Sequence, residues 1–229
     1  MMKTTTQPFT TRRRRYGFSL IELLVVMAII SLLAAVATPA FQGVQEAAKQ
    51  NAAMQNARQI GLGMKMYAMD TNGAFPTGTN RFGEAIATSN DAFRDMLDYV
   101  DNDERIFMVA GSAYGPSADS QVSTPAEMVE PGENHFAYID GLTTSSSSAW
   151  PLIVDGTDGS GTYGDQIGTP GGLWRGKKAI VIRVDGSAKT VRLGGAGGAR
   201  FIPRLDDPTA NALDTASYMG AAQLLDPAQ

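Results

Sequence analysis

The sequence predicts an α+β protein in which a long N-terminal transmembrane-to-soluble α-helix packs on a C-terminal head with an antiparallel β-sheet. An apolar run of membrane length begins at Phe18, helix-forming residues continue to Asp70, and short β-rich runs follow. The 229 residues therefore divide into a leader (1–17), a membrane helix (18–38), its amphipathic continuation (39–70), a globular head (71–193) and an irregular tail (194–229).

The apolar run from Phe18 to Ala37 contains one charged residue, Glu22. About 20 apolar residues in a helix match a bilayer core about 30 Å thick. Four arginines, Arg12–Arg15, precede the run, which directs the N-terminus to the cytoplasm and sends the rest of the chain across the membrane. An ordinary signal peptide cut within "AVATPA" (35–40) is the alternative, but it gives the intramembrane carboxylate no role.

The stretch "GFSLIELLVV" resembles the processing site of type IV pilins and type II secretion pseudopilins. The resemblance implies that prepilin peptidase cuts between Gly17 and Phe18 on the cytoplasmic side and methylates the new N-terminus at Phe18. It also implies that Glu22 pairs with the Phe18 amine of a neighbouring subunit during filament assembly, and that Pro39 kinks the helix.

The resemblance extends to "ARQIGLGMKMYAMDTNGAFPTG" (57–78), which is similar to pseudopilins. It implies a structural subunit of a self-assembling filament, most simply a type II secretion pseudopilin, rather than an enzyme. The implied partners are further copies of the chain, the prepilin peptidase and the assembly platform of the bacterial inner membrane. The implied location is the inner membrane with a periplasmic head, and later a periplasmic or surface filament. A type IV pilin for adhesion, motility or DNA uptake is the second interpretation.

Composition excludes several other functions. The chain has no cysteine, so disulfides, thiolate catalysis and cysteine-bound zinc are excluded. Without residues 1–17, 14 basic and 23 acidic residues remain, a net charge of −9, which argues against nucleic acid as a partner. A membrane-tethered enzyme or binding protein is a third interpretation, but no nucleophile set is recognisable by spacing.

Patterns along the rest of the chain predict its local structure. One apolar stripe runs along the long helix through Phe41, Val44, Ala48, Ile60, Met64 and Tyr67, and its other methionines (Met54, Met66 and Met69) are expected to fill the core. Residues 89–100 predict a short amphipathic helix, and residues 177–193 a hairpin that turns at Asp185-Gly186. Further strands are predicted at 105–110, 135–140 and 151–155, and a short helix near 209–225.

Two candidate sites in the head depend on few residues. The single histidine, His135, lies in a predicted strand and is expected to be structural. Asp155, Asp158 and Asp165 lie in a glycine-rich loop, where carboxylates suit calcium and where the resemblance implies a calcium site in some pseudopilins. Acidic glycine-rich turns are more often simply solvated, so calcium is the one possible cofactor and none is otherwise expected.

Overall fold

The computed structural model describes residues 18–115, 118–119, 121–196 and 199–228. Its contacts divide the chain into two compact units, residues up to Glu46 and Ala47–Gln229. Each unit is described by itself below. The first contains the start of a long helix, and the second contains the rest of that helix together with the head.

The long helix, α1, extends over Leu20–Asp70. It begins beside Glu22, whose carboxylate lies in the first turn where it complements the helix dipole. The helix continues through Pro39, so the proline does not end it. After Asp70 the chain turns through Asn72 and Gly73, both with positive φ, as the polar turn residues predict.

In the second unit, α1 contacts the head through small residues. Its buried positions recur every three or four residues at Ala53, Ala57, Ile60, Met64 and Ala68. The predicted stripe is therefore right at Ile60 and Met64 and wrong at Phe41, Val44 and Ala48, which are exposed. Met66 and Met69 are also exposed, because core-filling alanines take the buried positions and the larger side chains lie on the opposite flank.

The head is built on a five-stranded antiparallel sheet. Its strands are β1 (Phe136–Asp140), β2 (Pro151–Asp155), β3 (Lys178–Arg183), β4 (Ala188–Arg192) and β7 (Gln223–Leu225), in the spatial order β4-β3-β2-β1-β7. The first four confirm the predicted strands at 135–140 and 151–155 and the hairpin. The hairpin turns at Asp185-Gly186, where Gly186 has a φ of 83°.

Short helices and a second hairpin complete the head. They are α2 (Ser89–Arg94), α3 (Thr215–Tyr218), three 3-10 turns (Leu97–Tyr99, Glu104–Phe107 and Pro125–Glu127) and the hairpin of β5 (Gly194–Ala196) and β6 (Ala199–Phe201). Thr88 and Asp91 form a capping box at the start of α2, as the capping residues predict. Tyr138, on β1, donates to the carbonyl of Pro76 at 2.8 Å from within the core.

Two predictions for the head are wrong. The run at 105–110 contains no strand, and its first three residues lie in the 3-10 turn Glu104–Phe107, which Asp103 caps by accepting from the backbone N–H of Arg105 at 3.1 Å. The C-terminal segment is not an irregular tail, because β7 pairs with β1 at the edge of the main sheet. Its helix, α3, is a single turn within the predicted range 209–225.

Candidate functional site

The start of α1 brings Glu22 beside the backbone of its own N-terminal turn. The amide of Ser19 donates to Glu22 Oε2 at 2.9 Å, and the carbonyl of Ser19 accepts from the amide of Leu23 at 3.2 Å. Phe18 precedes this turn and is 77% exposed. The carboxylate therefore lies one helical turn from the residue that would carry the new amine. Gly17, the other half of the predicted cleavage site, lies outside the described residues.

Residues 18–38 and 41–44 of this segment are exposed, and most of their side chains are apolar. An 18-residue window of α1 has a mean hydropathy of 2.8, and none of that window is buried within the protein. By length and composition α1 is a candidate membrane span. An apolar helix with no intramolecular cover requires lipid or other helices around it.

The three aspartates predicted to share a calcium site have separate roles. Asp155 ends β2 and is 1% exposed, and both of its carboxylate oxygens accept hydrogen bonds within the core. Asp158 binds its own loop, accepting from the amides and hydroxyls of Ser160 and Thr162. Asp165 is exposed. Because the donors of the protein already occupy Asp155 and Asp158, this set does not fit a calcium ion.

The hydrogen bonds of Asp158 affect its ionisation. Burial opposes ionisation of this carboxyl, but the four hydrogen bonds from Ser160 and Thr162 together outweigh burial and lower its pKa. Asp158 thus stabilises its glycine-rich loop as a carboxylate without any ion.

His135 links Ser112 and Asp155 in a buried polar chain. Its Nδ1 lies 2.7 Å from Ser112 Oγ, and its Nε2 lies 2.9 Å from Asp155 Oδ1. Ser112 Oγ also accepts from the amides of Tyr114 and Gly115. We therefore assign the Ser112 hydroxyl as the donor to His135 Nδ1. His135 Nε2 is then the donor to Asp155.

The other oxygen of Asp155 is equally occupied. Asp155 Oδ2 accepts from Trp174 Nε1 and from the amide of Ile180, both at 2.7 Å. The carbonyl of Asp155 accepts from Tyr163 Oη at 2.9 Å. Burial, followed by the nearby carboxylates of Asp155 and Asp226, raises the pKa of Tyr163 well above its ordinary value, so this phenol remains a donor.

Serine, histidine and aspartate are the residues of a hydrolase triad. Here they form a buried hydrogen-bond chain that has a structural role. Ser112 and His135 are 6% and 2% exposed, and the serine oxygen already accepts two backbone hydrogen bonds. A nucleophile must reach a substrate carbonyl beside oxyanion donors, whereas here the amide donors point at the nucleophile itself. The expectation of a structural histidine agrees with this geometry.

Comparison with known proteins identifies the N-terminal segment. A family model described as the prokaryotic N-terminal methylation motif matches residues 12–38. The type IV major pilin protein PilA of Myxococcus xanthus is 24% identical over 185 residues, which cover 66% of this chain and 84% of the pilin. The type II secretion system core protein G of Aeromonas hydrophila is 27% identical over 157 residues, covering 69% of this chain and 93% of that protein. The N-terminal segment carries the prokaryotic methylation motif, and the chain is similar to a type IV pilin and to a type II secretion core protein G.

A third relative is similar to part of the chain. The type II secretion system core protein G of Pseudomonas aeruginosa is 36% identical over 66 residues, covering 29% of this chain and 46% of that protein. No solved structure matches the chain significantly. The matched motif and the apolar N-terminal helix suggest that the chain is anchored in a membrane.

Sequence reasoning missed most of the residues that organise the head. Ser112 contacts His135, and Trp174 contacts Asp155. The two residues of each contact are more than 15 positions apart in the sequence, so no local motif predicts either contact. Three carboxylates, Glu104, Asp119 and Glu133, have oxygens within 4.8 Å of one another. Glu133 accepts from the amides of Asp119 and Glu130, so this group closes the loop that precedes β1.

Proposed function

We propose that the protein is a structural subunit of a pilin-like filament, and specifically a type II secretion pseudopilin. The observation that carries the proposal is the N-terminal motif, in which Glu22 lies one turn from Phe18 at the start of an exposed apolar helix. Alignment with core protein G over 93% of its length supports the pseudopilin role. The relative PilA supports a type IV pilin as the second candidate.

The proposed mechanism begins with removal of Gly17. Phe18 then carries a free α-amino group at the depth of the apolar segment, near Glu22 of its own chain and available to Glu22 of a neighbour. Two opposite charges in a medium of low dielectric offset each other's desolvation only when they pair. A subunit that docks out of step leaves both charges unpaired, so the pair sets the axial register of the filament.

The experiment that tests processing is intact-mass and N-terminal analysis of the protein purified from its native membrane. We expect a chain that begins at Phe18 and is heavier by one methyl group. A chain that begins near Phe41 would show ordinary signal cleavage and contradict the proposal.

The experiment that tests assembly is substitution of the carboxylate. Glu22→Ala should leave membrane insertion and cleavage intact but reduce filament yield by about two orders of magnitude, because removing one partner of a buried ion pair costs about 3–5 kcal/mol. Ser19→Ala is the matched control, since it keeps the carboxylate and the backbone amide that Glu22 contacts. Filaments are counted by electron microscopy and by sedimentation. Normal assembly of Glu22→Ala would rule out the register mechanism.

A further inference from the structure

Two surfaces of opposite charge lie on either side of α1 within the unit Ala47–Gln229. The first is a cleft of about 670 Å³ whose lining contains five basic residues and no acidic residue. The basic residues are Arg175, Lys177, Lys178, Arg192 and Arg200. We call this surface the basic cleft. Its charge is unexpected in a head whose overall balance is acidic.

Most of the positive charge in the basic cleft is unneutralised. Within the part of the chain that the structure describes, Arg175, Lys177 and Arg192 take part in no ion pair, and all three are exposed. Arg200 donates to the carbonyl of Gly195 at 2.8 Å, which leaves its charge uncompensated. Like charges held together without a counterion favour an anionic partner.

The second surface is a groove of about 310 Å³ lined by acidic and apolar residues and no basic residue. Asp101 and Asp103 line it together with Leu62, Tyr99 and Val100. We call this surface the acidic groove. Asp103 forms an ion pair with Arg105, at 2.8 Å between Oδ1 and Nε. Asp101 is exposed and makes no ion pair among the described residues. Asp70, which accepts from Tyr99 Oη at 2.9 Å, adds a further negative charge at this flank.

The acidic groove is bordered by exposed apolar side chains of α1. Leu62, Met66 and Met69 are 63%, 44% and 80% exposed, and their spacing of four and three places them on one face of the helix. An apolar stripe beside a charged groove is typical of a surface that is covered by a partner.

The two surfaces lie on opposite sides of the same helix. Gln50 reaches the basic cleft, where it donates to Thr190 Oγ1 at 2.9 Å and accepts from Lys178. Gln59 lines the acidic groove. Nine positions separate the two glutamines, about two and a half turns at 3.6 residues per turn, so their side chains point in opposite directions.

We propose that the basic cleft of one copy of this chain docks on the acidic groove of the next copy, a contact that rests on the proposed filament function. Different surfaces on opposite sides of a subunit make a head-to-tail contact, which propagates into an open filament instead of closing into a dimer. Opposite charge selects the partner and its orientation. The long stems of Lys177 and Arg192 cover Leu62 and Met66 while their charged ends meet Asp101.

The test is pairwise cross-linking in the full-length chain, which has no native cysteine and therefore no background. Gln59→Cys and Lys177→Cys are combined in one chain, and intact filaments are treated with a short bis-maleimide linker. A head-to-tail contact joins each copy to the next, so the double variant should give a ladder of trimers and longer species. Each single variant should give dimers at most.

The matched control replaces Lys177→Cys with Ser148→Cys, which is exposed and precedes β2 at the opposite end of the sheet. The control pair should give at least tenfold less of the long species. Arg175→Glu with Arg192→Glu should reduce the ladder about tenfold, and adding Asp101→Lys should restore most of it. Membrane abundance and resistance of the head to limited proteolysis show that each variant folds.

The outcomes separate this contact from the proposed function. Filaments that form normally but give no ladder would overturn the contact and leave the filament function standing. An equal ladder from the control pair, or charge reversal without effect, would also overturn it, and would leave the basic cleft to an anionic partner other than this chain. If the unsubstituted chain forms no filaments, the proposed function fails and the contact fails with it.

Discussion

At the scale of single residues, Asp155 has the largest structural role in the head. One carboxylate accepts from a histidine, an indole and a backbone amide, and so joins the end of β2 to β3 and to the loop that carries Trp174. A buried carboxylate is favourable only when its lone pairs are filled in this way. The same occupation removes Asp155 from any metal site.

We predict that Asp155→Ala destabilises the head severely. The substitution leaves three buried donors without their acceptor, and each orphaned group costs about 1–3 kcal/mol, so the total should exceed about 3 kcal/mol. Thermal unfolding of the full-length protein in detergent measures the loss. Asp165→Ala is the control from the same glycine-rich segment, and its exposed side chain should change stability by less than about 0.5 kcal/mol. Equal stability of both variants would contradict the role of Asp155.

The sequence predicted the residues of the N-terminal motif because their chemistry is local. Phe18 and Glu22 are separated by one helical turn, so their relation follows from helix geometry alone. The partners of His135 could not be predicted, because the sheet brings Ser112 and Asp155 together from distant parts of the chain. Position in a glycine-rich loop likewise does not show that oxygens of Asp155 and Asp158 already accept hydrogen bonds from the protein.

At the scale of elements, the glycines of α1 allow the helix to approach the head closely. A Cβ on Gly61 would lie 2.9 Å from Ile182 Cγ2, and one on Gly63 would lie 2.9 Å from Val100 Cγ1. These glycines face β3 on one side and the 3-10 turn after α2 on the other. Glycine lowers the helix propensity of α1, but the close approach that it allows buries the alanine face of the helix, which offsets this loss.

We predict that Gly61→Ala destabilises the protein although alanine is the better helix former. Overpacking against Ile182 should cost about 1–3 kcal/mol, which exceeds the gain of about 1 kcal/mol in helix propensity. Gly43→Ala is the control, because nothing lies within 4 Å of its added Cβ. The control should leave the melting temperature unchanged or higher, and a Gly61→Ala protein that melts with the control would refute the packing argument.

An element could be predicted where its own residues carry the pattern that forms it. The hairpin at Asp185-Gly186 and the long helix follow from turn chemistry and from helix propensity. The three-residue strand β7 has no pattern of its own, and only its pairing with β1 defines it. The run at 105–110 has β-forming residues but contains no strand, and its first three residues lie in a 3-10 turn that Asp103 caps.

At the scale of the whole molecule, the last residues join two separate parts of the head, the loop after β2 and the start of α2. Asp226 accepts from the amide and the hydroxyl of Thr157, both at 2.8 Å, and its carbonyl accepts from the amide of Ser89. The amide of Ala228 donates to Asn90 Oδ1 at 2.9 Å. Burial raises the pKa of Asp226 despite the hydrogen bonds from Thr157, and the charge of Asp158 adds to the increase.

We predict a pH dependence of opposite sign to that expected of Asp158, whose pKa is lowered. Because the pKa of Asp226 is higher in the folded than in the unfolded chain, its contribution to stability is fully present below the unfolded pKa and is lost as the pH rises through the folded pKa. The wild type should therefore gain stability relative to Asp226→Asn as the pH falls from neutral through that range. Melting curves of both proteins across the range measure it, and a difference that does not change with pH would contradict the prediction.

The order of the strands also has a consequence for synthesis. A chain is made from its N-terminus, so α1 leaves the ribosome first and β7 last. Strand β1 cannot be paired on both edges until Leu225 has been made, although its other neighbour, β2, follows it closely in the chain. The head is therefore incomplete for nearly the whole of translation, while the apolar helix is ready for lipid from the start. Under the proposed function, the apolar helix can therefore enter a bilayer before the head has folded.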